Sequence, residues 1–213
     1  MDAFEEELTN VTVEEFELRE WRKRGLIGKL HNLIQYATHS SKRKDLLATI
    51  QRNQYRRLQA SQPSESESLK PLVVYQLLHD NLTRWNSWYD AAVRAVHLRA
   101  AIDEFIDSEL GDYNAKVARY KGSRSLKKRP PKKPSLLVDL LNADDWSIIT
   151  QYLEILKPLK DATILLQGYV STTGNGAKPV HGGIWQVLPI FESMLAAFEH
   201  ARERHLPTAT IAS

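Results

Sequence analysis

Only one run in the chain reads as a β-strand. It is "LVVYQLL" (Leu72 to Leu78), rich in β-branched and aromatic residues and bounded by Pro71 and Asp80. No convincing second strand follows it. A lone strand leaves its backbone N–H and C=O groups without partners. Either the run is helical, or its sheet partners lie outside this chain. The fold class expected is therefore mainly α, with at most one or two strands.

Helices account for most of the remainder. Thr12 and Glu15 have capping-box spacing, acids follow, and Arg22, Lys23 and Arg24 precede a terminating Gly25. Leu26, Ile27, Leu30, Leu33, Ile34 and Ala37 share one helical face. A helix from about Lys42 to Ala60 carries Leu46, Leu47, Ile50 and Leu58, with Arg43, Lys44, Arg52, Arg56 and Arg57 on its other side. "SQPSESES" then forms a linker. From Thr83 to Glu109 the apolar positions predict one long amphipathic helix that ends before Gly111.

The stretch from Lys116 to Pro134 contains many cations and no acid, and its prolines forbid a regular helix around Pro130. "SLLVDLLNADDWSIITQYLEILKPLKDATILLQG" reads as two helices, with Asn142 capping the second, Pro158 interrupting it and Gly168 closing it. A loop precedes the last helix, which should turn Trp185, Leu188, Phe191, Leu195 and Phe198 inward. The expected organisation is helices over 1–60, a linker over 61–70 and a strand-to-long-helix segment over 71–110. A basic loop over 111–135, helices over 136–206 and a disordered tail over 207–213 complete it.

Chemistry is narrowed mostly by exclusion. There are no cysteines among the 213 residues, which removes disulfides, thiol catalysis and cysteine-held zinc. No apolar run approaches the ~20 residues that span a bilayer, so no membrane partner is expected. The acidic N-terminus lacks a signal core, which predicts a soluble, unexported chain. No His pair sits beside a carboxylate at metal-ligand spacing. The Gly-x-Gly near Lys178 lacks the P-loop continuation. No catalytic residue and no metal ligand is assigned.

Two motifs point towards nucleic acid. "KKRPPKK" holds Lys127, Lys128, Arg129, Lys132 and Lys133. It resembles a nuclear-import signal, and it could equally contact phosphates or be a solvated insertion. The second is Thr83-Arg84-Trp85-Asn86. At a helix start, free N–H groups beside Arg84 make a phosphate site, and an indole can stack on an unpaired base. Trp85, Trp88 and Tyr89 also share a face and could all be core.

Four blocks, in order, carry a family resemblance: "WRKRGLIGKLHNLIQYATHSSKRKDLL", "DNLTRWNSWYDAAVRAVHLRAAIDEF", "DWSIITQYLEILKPLKDATILLQG" and "IWQVLPIFESMLAAFE". From about Trp21 to Glu199 the chain resembles the hAT superfamily of DNA transposases, as in transposon-derived fungal copies. The resemblance implies an RNase H-like core split by a helical insertion domain, to which most of this chain would belong. It implies a nuclear protein that binds transposon-end DNA, forms homo-oligomers in its full-length form, and uses Mg²⁺ held by two Asp and one Glu for phosphoryl transfer. In that family the Trp of the Arg-Trp motif stabilises a flipped base, and Trp85 matches it.

The family's catalytic acids, zinc finger and dimerisation segment have no counterparts here, so the expectation is an internal fragment, inactive alone. Asp80 matches the acid that precedes the Thr-Arg-Trp motif and is not equated with the metal-holding triad. LVVYQLL would be a remnant of the catalytic sheet. The other class of function is a domesticated, non-catalytic helical module that binds protein or DNA.

Overall fold

The computed structural model describes residues 15–61, 72–81, 85–122, 130–166 and 187–205. Helices occupy 83% of them, with no strand among them, so the fold is mainly α. The helices are α1 (15–22), α2 (Leu26–Thr38), α3 (Ser41–Ser61), α4 (Trp85–His97), α5 (Arg99–Lys121), α6 (Ala143–Leu166) and α7 (Val187–His205). A short 3-10 turn spans Ser135–Val138. The chain divides into two units, Met1–Ser147 and Ile148–Ser213. No described helix is long and apolar enough to cross a membrane.

The first unit is organised around α2. The step from α1 into α2 needs a glycine, because Gly25 has φ +62°, a region L side chains rarely adopt. One turn later, a Cβ on Gly28 would lie 1.7 Å from the backbone oxygen of Trp21. Only a residue without a side chain lets α2 approach α1 this closely. Asn32 then donates from Nδ2 to the Leu18 oxygen at 3.0 Å, tying the same two helices.

The predicted apolar face of α2 is the core. Leu30, Leu33, Ile34 and Ala37 are buried with Leu47 and Ile50 of α3 and Ala101, Ile102 and Phe105 of α5. α3 packs on α2 and α5, and α5 on α4. Each such Leu, Ile or Phe contributes about 1.5–3 kcal/mol relative to exposure. Around this core run polar ties. Tyr36 donates to Glu109 Oε2 at 2.5 Å while Arg43 stacks 3.6 Å above the phenol ring. Burial, then the Glu109 bond, push the Tyr36 pKa up to about 12. Arg22 grips Asp139 with two bonds of 2.7 Å, fastening α1 to the turn after Ser135–Val138. The Asp139 side chain is 2% exposed, so this carboxylate is dry and fully committed. That bond also raises the Arg22 pKa.

Four expectations are corrected. Leu72 to Leu78 is not a strand. Nor is it helical; it is an irregular strap whose backbone is held by side chains, as described below. The long helix from Thr83 to Glu109 is two helices, broken at the buried Leu98, whose N–H is shared by the Arg94 and Ala95 oxygens at 3.1 Å each. That sharing tightens the turn locally.

The basic loop starts later than Gly111. Helix α5 runs on to Lys121 and closes at Gly122, whose N–H bonds the Ala118 oxygen at 3.0 Å. One interior glycine costs only about 1 kcal/mol, and the neighbouring helix formers outweigh it. The prolines act only from position 130. Last, the helix expected ahead of α6 shrinks to the Ser135–Val138 turn; α6 itself contains Pro158 and continues to Leu166. Asn142 caps α6 as expected: its Oδ1 accepts the Asp145 N–H at 2.7 Å, and Asp145 Oδ2 accepts the Asn142 N–H at 3.1 Å. Thr12, Gly168 and Trp185 lie outside the described residues.

In the second unit α7 presents the face expected to be inward. Leu188 is 73% exposed and Leu195 58%, with Phe191 also exposed and Phe198 half-buried. An apolar face turns inward only where other apolar groups can cover it, and the described residues place none there.

Candidate nucleic-acid interface

The strap from Leu72 to Asp80 delivers the chain to the Thr83-Arg84-Trp85-Asn86 motif, and side chains take the role of neighbouring strands. Gln51 on α3 donates from Nε2 to the Tyr75 oxygen at 2.9 Å and accepts the Tyr75 N–H at 2.9 Å. A side-chain amide presents the same donor and acceptor pair as a backbone peptide, so one residue replaces one rung of a ladder. Arg94 on α4 donates to the Gln76 oxygen at 3.0 Å and packs over the Tyr75 ring, which meets His97 edge-on. Leu77 supplies the buried apolar anchor.

The strap ends on a dry polar latch. His31 Nδ1 donates to Asp80 Oδ1 at 2.5 Å, and their side chains are 9% and 4% exposed. The Trp21 ring stacks on the imidazole with centroids 3.5 Å apart and planes 12° from parallel. Arg24 lies over the Trp21 ring in turn. Shielded in this way, the Asp80 carboxylate positions backbone; it is enclosed rather than offered to a ligand.

Immediately after the latch the chain is clamped on both sides of the motif. Ser87 Oγ accepts the Asn81 N–H at 2.7 Å and donates to the Asn81 oxygen at 3.1 Å. Asn86 is half-buried, and its side-chain oxygen is buried without a hydrogen-bond partner among the described residues. Trp88 and Tyr89, expected as core, are half-buried; the helix positions that reach the interior are Ala91, Ala92 and Ala95.

Of the residues singled out by sequence, Arg84, the Trp85 side chain, Lys127, Lys128 and Arg129 lie outside the described residues. Lys132 and Lys133 are exposed. No described contact joins them to Asn86. Sequence reasoning missed Trp21, His31, Gln51 and Asp80 as the frame of the motif. The latch joins residues 49 positions apart, a relation with no local signature. Among the described residues no cluster of three His, Cys, Asp or Glu forms that could hold a metal ion. Compared with protein-family models, curated proteins and solved structures, the chain matches none of them.

Proposed function

We propose that this chain is a helical, DNA-contacting part of a hAT-type DNA transposase, without catalytic activity by itself. The four ordered sequence blocks support the family reading. The observation that carries the site is the clamp: Ser87 bonds both backbone groups of Asn81, and the neighbouring Asn86 side-chain oxygen is buried with no partner among the described residues. In this reading Arg84 neutralises a phosphate, Trp85 stacks on an unpaired base, and Asn86 reads or orients that nucleotide. Lys132 and Lys133, with Lys127, Lys128 and Arg129, add sequence-independent phosphate contacts and direct the protein to the nucleus. The complete family enzyme would join Mg²⁺-holding acids to this surface and act as a homo-oligomer on transposon ends.

The test is binding to two DNA probes, a plain duplex and the same duplex carrying one unpaired base. Trp85→Ala should weaken the second by about 1–3 kcal/mol and leave the first nearly unchanged. Neither probe should be nicked with Mg²⁺ or Mn²⁺. Equal affinity of wild type and Trp85→Ala for the unpaired-base probe would sink the reading. So would metal-dependent cleavage that a local acid-to-amide change abolishes.

A second reading, a helical protein-interaction module, is favoured by the exposed Leu188, Phe191 and Leu195 of α7. It predicts that no DNA binds and that Leu188→Asp with Leu195→Asp abolishes association with a protein partner.

A further inference from the structure

Helix α3 carries six basic residues against one acid over 21 positions. Its excess of five positive charges exceeds the net +3 of the whole chain. Three of the six are oriented by local or tertiary contacts or stand apart. Arg43 stacks on Tyr36 and Arg57 binds Glu104 at 2.5 Å, while Lys44 is turned about 120° round the helix from Arg56. The other three are Lys42, Arg52 and Arg56, all exposed and without an acidic partner among the described residues.

Most other described arginines of the first unit have a partner, Arg119 on α5 being a further exposed one without. Arg19 pairs with Glu15, Arg22 with Asp139 and Arg99 with Asp103, while Arg24 and Arg94 lie over aromatic rings. Arg52 and Arg56 instead stand one turn apart as like charges, an arrangement that weakens a helix by about 0.2–0.5 kcal/mol. Asn53, a poor residue for a helix interior, sits beside them with an exposed amide that bonds nothing else among the described residues.

Helical spacing puts Lys42, Arg52, Asn53 and Arg56 within one sector of about 100° of the helix surface, with Asp45 inside it. The 14 positions from Lys42 to Arg56 rise about 21 Å. Duplex DNA presents a phosphate every ~3.4 Å of axis on each strand, so the ridge is long enough to follow a run of phosphates rather than hold one. Arginine forks and an amide are the donors that phosphate oxygens accept. Asp45 is the single acid on this side of α3.

We infer that the outer ridge of α3, Lys42–Arg52–Asn53–Arg56, is a docking surface for the phosphate backbone of duplex nucleic acid. It stands on α3 alone and shares with the proposed function only the polyanionic partner. It extends DNA contact to a helix that the Thr83-to-Asn86 motif does not include.

The test is the salt dependence of binding of the full chain to a random-sequence 30-base-pair duplex, read by fluorescence anisotropy. Arg52→Gln with Arg56→Gln should flatten the slope of log K against log salt by about 1.8, the value for two lost phosphate contacts. Arg52→Lys with Arg56→Lys keeps the charge and should keep the slope, which separates phosphate contact from misfolding. An unchanged slope in the glutamine pair overturns the inference, as does equal loss in the lysine pair. Weakened binding to polyglutamate with duplex binding intact also overturns it, in favour of an acidic protein partner. If the glutamine pair is silent while Trp85→Ala and Lys132→Gln with Lys133→Gln weaken DNA binding, the proposed function stands and this surface falls. If the reverse holds, this surface stands and that site falls.

Discussion

Two glycines of this chain make opposite demands, and neither demand can be read from the letter G. At Gly28 a Cβ would meet the Trp21 backbone oxygen at 1.7 Å, while at Gly111 nothing lies within 4 Å. Backbone cannot swing aside as a flexible side chain can, so Gly28→Ala must push α1 off α2. That should cost about 3 kcal/mol, the upper range for overpacking, and should loosen the Asn32 bond to Leu18 with it. Gly111→Ala fills open space inside α5 and should stabilise by about 0.5–1 kcal/mol, the helix-interior penalty of glycine. Urea denaturation of the two variants should move the midpoint in opposite directions. A Gly28→Ala protein as stable as wild type would mean that α1 does not sit on α2 as described. The sequence pattern could find Gly25, because a run of cations before a glycine is a helix-end signal. It misplaced the end of α5 at Gly111 because the same letter was given the same meaning where the flanking residues favour helix.

At the scale of elements, periodicity revealed what lies on a repeating face and missed what is held by single distant contacts. The stripe from Leu30 to Ala37 became core because every fourth position of a helix returns to the same side. Asn142 was legible as a cap because its partner Asp145 is three residues away. The strap was not legible, since its local composition is that of a strand and its partner is Gln51, 24 residues upstream. β-branched residues favour extended backbone, but a strand exists only if another strand pairs with it. Here a glutamine amide and an arginine satisfy the backbone instead. Gln51→Leu should therefore unpair the Tyr75 N–H and C=O, costing about 1–3 kcal/mol, while leaving the apolar contacts of Leu77 in place. Leu77→Ala should cost about 2–5 kcal/mol by removing the anchor. Amide hydrogen exchange separates the two: in Gln51→Leu the Tyr75 amide should exchange faster while the α2 core amides keep most of their protection. Unchanged exchange at Tyr75 would show that Gln51 does not hold the strap.

For the whole molecule, the distribution of buried apolar surface matters more than its total. The largest fully buried side chains are Leu30, Leu33, Ile34, Ile102, Phe105, Leu136, Asp139 and Ile149. All but Ile149 belong to the unit Met1–Ser147. In Ile148–Ser213 the described buried residues are Ile149 and Ala162, whereas Ile164, Leu165, Leu166, Leu188, Phe191 and Leu195 are exposed. Burial of apolar area is the main term that opposes chain entropy, so stability cannot be uniform along this chain. Local opening free energy follows the density of buried contacts. Amides of α7 should then exchange orders of magnitude faster than those of α2 and the first half of α5, through openings that leave the first unit folded. The exposed Leu188 and Leu195 also set what reverses this. A partner that covers them binds the folded α7 and not the unfolded one, so at 100 times its dissociation constant it adds about 2.7 kcal/mol of protection. Exchange measured by mass spectrometry on the chain alone decides the matter. If α7 amides are as protected as those of α2, helix α7 is stabilised by contacts beyond those described, and the uneven stability argued from burial is wrong.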